Sequence, residues 1–150
     1  MRDIPEAEAR DLLIDELRCI NCEPWVPLKL SKHTSSASAG TLDSQGANTG
    51  IQVDLMYYLH PTTQVKRFVF SVYKQRPYGL ERIYQLDVRT QKNLKDSHAK
   101  PHEHFGDRRI DGDDSWAVWS YDDALIHFCK STKIKFEPSV KSPEDAFKLT

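Results

Sequence analysis

From residue 51 to residue 89 the chain alternates apolar and polar side chains in three consecutive runs. In IQVDLMYYLH (51–60), Ile51, Val53, Leu55, Tyr57 and Leu59 share one parity, while Gln52, Asp54, Tyr58 and His60 take the other. KRFVFSVYK (66–74) sets Phe68, Phe70 and Val72 against Arg67, Val69, Ser71 and Tyr73. LERIYQLDVR (80–89) groups Tyr84, Leu86 and Val88 and leaves Gln85, Asp87 and Arg89 on the reverse. Successive side chains of a strand point to opposite faces, so each run predicts a strand with one buried face. Pro61 with two threonines, and then QRPYG, supply the turns. Together the runs predict an antiparallel meander.

On either side the period changes. DIPEAEARDLLIDELRCI (3–20) places Ala9, Leu12, Leu13, Leu17 and Ile20 at helical spacing. Asp3 stands where a cap is needed, and Glu6 and Arg10 lie one helical turn apart. YDDALIHFCKS (121–131) predicts a second helix opened by Ser120 and Asp123, with Leu125, Phe128 and Cys129 inward. Residues 25–33 and 134–138 read as short extended pieces, 109–114 as a turn, and SWAVWS (115–120) as a short strand. TSSASAGTLDSQGANTG (34–50) has almost no large apolar side chain and reads as a flexible polar loop. The expected fold is α+β: a curved antiparallel sheet of about four or five strands with an N-terminal and a C-terminal helix packed on one face. A chain of 150 residues suits one domain, 1–150.

Charge adds little at the scale of the whole chain. Basic residues number 21 against 22 acidic ones, so a nucleic-acid partner has to be argued from local clustering. No apolar run approaches the ~20 residues of a membrane helix, and the first 20 residues carry acids where a signal peptide would be apolar. Cys19, Cys22 and Cys129 make an odd number, which fits a reduced, cytoplasmic protein. Cys19 and Cys22 form a C-x-x-C, but no second pair accompanies them and no strand is expected before them.

The unusual chemistry lies in SHAKPHEHFGDRR (97–109), where His98, His102 and His104 fall within seven positions. On a strand His102 and His104 share a face. Two imidazoles there can act as base and acid in one reaction, or as two ligands of a metal ion. Between Arg89 and Arg109 six basic side chains (Arg89, Lys92, Lys95, Lys100, Arg108, Arg109) outnumber three acidic ones (Asp96, Glu103, Asp107). Local positive charge suits a phosphodiester and repels a divalent metal, so no cofactor is expected. Lys100, Arg108 and Arg109 are the expected phosphate holders. His98 or Tyr84 would orient a nucleotide, and Asp87 is the supporting acid. His33, His60 and His127 lack such company and read as surface or helix-face residues.

A strand ending in LD, a basic stretch, H-x-x-P-H-x-H and a Trp-containing segment before a helix occupy residues 66 to 135. This order resembles the small TumE-like toxins and related prophage or mobile-element proteins. The resemblance implies a compact α+β domain in which Asp87 is the strand-end acid, His98 the outlying histidine, and His102 and His104 the pair. It also implies a setting of toxin and antitoxin, or of phage conflict. The expected function is that of a small ribonuclease-like toxin or defence protein cleaving RNA without a metal, with an antitoxin or other protein as a further partner. A non-enzymatic protein-binding inhibitor, using the loop and the tyrosines Tyr57, Tyr58, Tyr73 and Tyr78, is the alternative. A metal-dependent hydrolase built on Asp87, His102 and His104 is a third.

Overall fold

Period-2 alternation carries through into the strands at the centre of the molecule. The structure, a computed structural model, describes residues 2–90 and 100–144. Among these, four long strands follow one another as antiparallel neighbours: β4 (Thr34–Leu42), β5 (Asn48–Leu59), β6 (Lys66–Arg76) and β7 (Gly79–Arg89). Each flank is then extended by two short strands that share one edge. On β4 these are β3 (Val26–Pro27) at its first half and β2 (Leu17–Ile20) at its second. On β7 they are β1 (Arg2–Asp3) and β8 (His102–Phe105). β9 (Arg108–Asp111) closes one side and β10 (Ile134–Glu137), parallel to β2, the other.

This architecture replaces the expected α+β sheet of four or five strands with packed helices. The described residues form one mixed sheet of ten strands with only two short α-helices, α1 (Glu6–Leu12) and α2 (Tyr121–Thr132). Four segments that the sequence pattern reads differently contribute to the difference. Residues 34–50, expected as a polar loop, are β4, a tight turn and the start of β5. Their serines and alanines keep strand geometry because Ser35, Ala37 and Ala39 register with Tyr57, Leu55 and Val53 on the core face. The turn is held by Asp43, whose Oδ1 accepts from Gln45 N and Ala47 N, and Gly46 takes φ +79°.

The helix expected over 3–20 is shortened from both ends. Asp3 belongs to β1 and its carboxylate accepts from Arg82 at 2.9 Å; α1 ends at Leu12, and Leu17 and Cys19 are the buried alternate residues of β2. Leu13, Leu17 and Ile20 fit a helical spacing and a strand parity equally well over so short a span. Glu6 and Arg10 do pair as expected, at 2.9 Å. The third segment is 115–120, expected as a strand, which contains a 3-10 turn (Asp114–Val118) capped by the Asp113 side chain. The expected turn at 109–114 includes most of β9.

The core lies on one face of the sheet. Leu55, Phe68, Phe70, Val72, Tyr84 and Leu86 are fully buried there, each side chain of that size stabilising by about 1.5–3 kcal/mol. α2 lays Tyr121, Ala124 and Phe128 onto them, and its start carries the reciprocal Ser120–Asp123 capping box. α1 covers the β7–β8 end, with the Arg10 guanidinium 4.0 Å from the Phe105 ring. No helix among the described residues is long and apolar enough to cross a membrane.

Candidate functional site: the polar sheet face at β7–β9

β8 presents its four side chains alternately to the two faces. Glu103 and Phe105 register with Leu86 and Tyr84 on the core face, and His102 and His104 with Asp87 and Gln85 on the other. β9 completes the rows: Asp111 stands across from His102, and Arg109 across from His104. The two imidazoles are therefore neighbours on the polar face, their ring centroids 5.1 Å apart and their planes at 86°.

Their environments differ. His102 is buried, at 7% exposure, and its Nδ1 lies 2.8 Å from the Lys100 carbonyl oxygen. A carbonyl can only accept, so Nδ1–H donates, and in the neutral ring the acceptor is Nε2. His104 is half-buried, and its Nδ1 is shielded without a partner among the described residues. Burial, with Arg82, His102 and Arg109 nearby, pushes its pKa down to about 4, so this ring is neutral at pH 7.

The surrounding groups are largely engaged with one another. Arg67 grips both oxygens of Asp87, at 3.0 and 2.8 Å. Arg109 donates to Asp111 at 2.9 Å and holds that carboxyl below its usual range. Arg82 donates to Gln85, and Gln85 in turn to Ser71 Oγ. Arg82 and Arg109 thus bring positive charge to His104 while being anchored to the sheet.

Of the residues expected at the site, His102, His104, Asp87 and Arg109 share this face. Arg108 does not: it points with Phe105 to the other side and meets Glu6 of α1 at 3.4 Å. Tyr84 is fully buried in the core, where burial first and Glu103 second push its hydroxyl well above the ordinary range. Strand parity separates both from the histidines: the alternation of 80–89 already sets Tyr84 with Leu86 and Val88, opposite Asp87, whereas the side taken by Arg108 follows from the β8–β9 register. Lys100 is exposed and contributes its backbone carbonyl. His98 lies outside the described residues. Both Asp87 oxygens are taken by Arg67, and the described residues hold no group of three His, Cys, Asp or Glu side chains placed to bind a metal ion.

Behind the pair lies a network that sequence reasoning missed. Glu103, at 6% exposure, lies 2.8 Å from His127 Nε2 of α2 and accepts from the Tyr84 hydroxyl at 3.3 Å. The His127 ring rests 4.7 Å from Trp116 and 5.1 Å from Trp119, which stack on each other at 4.6 Å. One signal was available: Glu103 has the parity of Phe105, and a carboxylate on a buried face needs a buried partner. The C-x-x-C cysteines are also inside, Cys19 at the end of β2 and Cys22 just after it, each thiol in contact with the other.

One row along the polar face from Asp87, a recess of about 470 Å³ is lined by Thr34, Met56, Tyr58, Arg67 and Arg89 of β4–β7, with Ser31, His60, Thr63 and Val65 around its rim. Compared with known proteins, the chain matches no family model, no curated sequence and no solved structure.

Proposed function

We propose that the protein is a small ribonuclease-like toxin or defence protein that cleaves RNA with its own imidazoles and without a metal ion. The observation that carries this reading is the pair His102 and His104, 5.1 Å apart on a polar sheet face beside Arg109 and Arg82. The lowered pKa of His104 supports one division of the roles. A ring that is neutral at pH 7 can take the proton from a ribose 2′-hydroxyl, whose oxygen then attacks the adjacent phosphorus. His102, oriented by the Lys100 carbonyl, serves as the acid and gives a proton to the departing 5′-oxygen. The bond formed is O2′–P, the bond broken is P–O5′, and the proton balance between the two rings is restored by solvent. Arg109 stabilises the charge that builds on the phosphoryl oxygens. The resemblance of Asp87 and Pro101-His102-x-His104 to TumE-like toxins points the same way, with RNA as substrate and an antitoxin as partner.

Incubation of purified protein with a labelled single-stranded RNA tests this. Cleavage should leave 2′,3′-cyclic phosphate ends and persist in EDTA. His102→Asn and His104→Asn should each lower the rate by about 10²–10⁴-fold while melting near the wild type. Full cleavage by a folded double variant would sink the proposal.

A second reading has its own observation. Val26, Leu28 and Leu30 are exposed close together in sequence, Leu30 completely. In this alternative the protein is a non-enzymatic inhibitor or accessory protein of a phage or mobile element, and the histidines are bystanders. Leu28→Asp/Leu30→Asp would then abolish its biological effect, and His102→Asn/His104→Asn would not.

A further inference from the structure

Across the polar face, residues of four successive strands line up in one row: Thr34 of β4, Tyr58 of β5, Arg67 of β6 and Arg89 of β7. They form the floor of the 470 Å³ recess. Two arginines directly opposite each other on neighbouring strands repel, so the pair destabilises the sheet unless negative charge compensates it. Asp87 compensates Arg67. Among the described residues Arg89 has no carboxylate partner and no acidic side chain lines the recess. The recess is thus charged for an anion, and a guanidinium fork suits the oxygens of a phosphate.

The rim is more specific than charge alone. His60 Nδ1 accepts from the backbone N–H groups of Thr62 and Thr63, at 3.2 and 3.0 Å. A nitrogen that accepts holds no proton, so His60 carries its proton on Nε2 and is a neutral donor. The Ser31 and Thr34 hydroxyls share a hydrogen bond of 2.8 Å, and Thr34 Oγ1 also lies 3.3 Å from the Lys32 carbonyl. Whichever way that proton lies, the Ser31 oxygen keeps a lone pair to accept from a hydroxyl. Met56, Val65 and the Tyr58 ring supply the apolar part of the lining. Donors for an anion, an acceptor for a hydroxyl and an apolar, aromatic surface together describe a phosphorylated sugar that bears a planar ring.

We propose that this recess is a nucleotide-binding site, taking one nucleoside monophosphate unit with its phosphate at Arg89 and Arg67, a ribose hydroxyl at Ser31 and the base against Tyr58 and Met56. The site is distinct from the histidine pair and does not depend on RNA cleavage. The unit can be a free nucleotide or the phosphorylated end of an RNA strand, since both carry the same chemistry.

Isothermal titration of the full chain with AMP, adenosine and inorganic phosphate tests the inference. AMP should bind at micromolar to low-millimolar concentration, more tightly than phosphate, and adenosine should be weakest. Arg89→Gln should weaken AMP at least tenfold and Arg89→Lys less. His102→Asn/His104→Asn should bind AMP as the wild type does, so loss of cleavage and loss of this site are read separately. Displacement of AMP by a 5′-phosphorylated dinucleotide would identify an RNA end as the natural occupant. Failure to displace it would identify the free nucleotide. Absence of AMP binding at millimolar concentration, AMP no tighter than phosphate, or unchanged affinity in Arg89→Gln would each overturn the proposal.

Discussion

His104 shows how much of a residue's chemistry comes from its neighbours. A free imidazole titrates near 6.5, and in the fold burial and nearby cations lower this to about 4. The unfolded chain therefore binds the proton more tightly than the folded one. Above pH 6.5 neither state is protonated at this position, and the shift has no effect on stability. As pH falls from about 6.5 towards 4 the unfolded state takes up the proton first, so stability is lost across that window. With the ring half-exposed, solvent screening reduces the loss to about 1–2 kcal/mol. Urea denaturation at pH 7 and pH 4.5 should reveal it, and His104→Asn should flatten that part of the profile. If His104 is the base, the cleavage rate should also keep its base-competent plateau down to roughly pH 4. A midpoint near 6.5 would assign the base elsewhere.

At the scale of elements, the β8–β9 hairpin is docked onto α1 through a few backbone groups. Gly106 sits at its turn with φ +55°, and Asp107 N donates to the Ile4 carbonyl at 2.7 Å. Asp107 Oδ1 then accepts from Glu6 N at the start of α1. A Cβ at position 106 would lie 2.3 Å from the Ile4 oxygen and 2.9 Å from that of Pro5, both backbone. Gly106→Ala should therefore cost more than 2 kcal/mol in equilibrium unfolding, because left-handed strain and the clash act together. It should also detach the hairpin that carries the histidines, visible as lost amide protection at His102–Phe105. Elements with a long, regular signal were legible in sequence: β5, β6, β7 and α2 match their alternation or helical period closely. Those made of small residues or two-residue pairings, such as β4 and β1, carry no such signal, although β3 lies within the segment 25–33 expected to be extended. Their strand character comes from the strand each one pairs with, the neighbouring β5 for β4 and the distant β7 for β1.

For the whole molecule, α2 ties both flanks of the sheet together. Phe128 packs its ring 5.9 Å from Phe70, 5.7 Å from Tyr84 and 6.1 Å from Phe136 of β10, and is fully buried. Phe128→Ala should lower stability by about 3–5 kcal/mol, measured by chemical denaturation, since the rigid sheet cannot collapse into the void. Cys19 and Cys22, buried in the same core, should resist alkylation until the fold opens. A variant that reacted as readily folded as unfolded would contradict this packing.

Local pattern determined which side chains of the central strands face inward, the capping of α2, and the common face of His102 and His104. Alternation and helical period depend only on backbone geometry, so residues close in sequence suffice to specify them. Tertiary structure alone decided that Ser- and Ala-rich residues 34–42 are a strand, that Arg108 turns away from the histidines, and that Glu103 meets His127. It also decided that Arg67 and Arg89 stand side by side. Each of these depends on which strand or helix is set against which and in what register, which composition and periodicity do not encode.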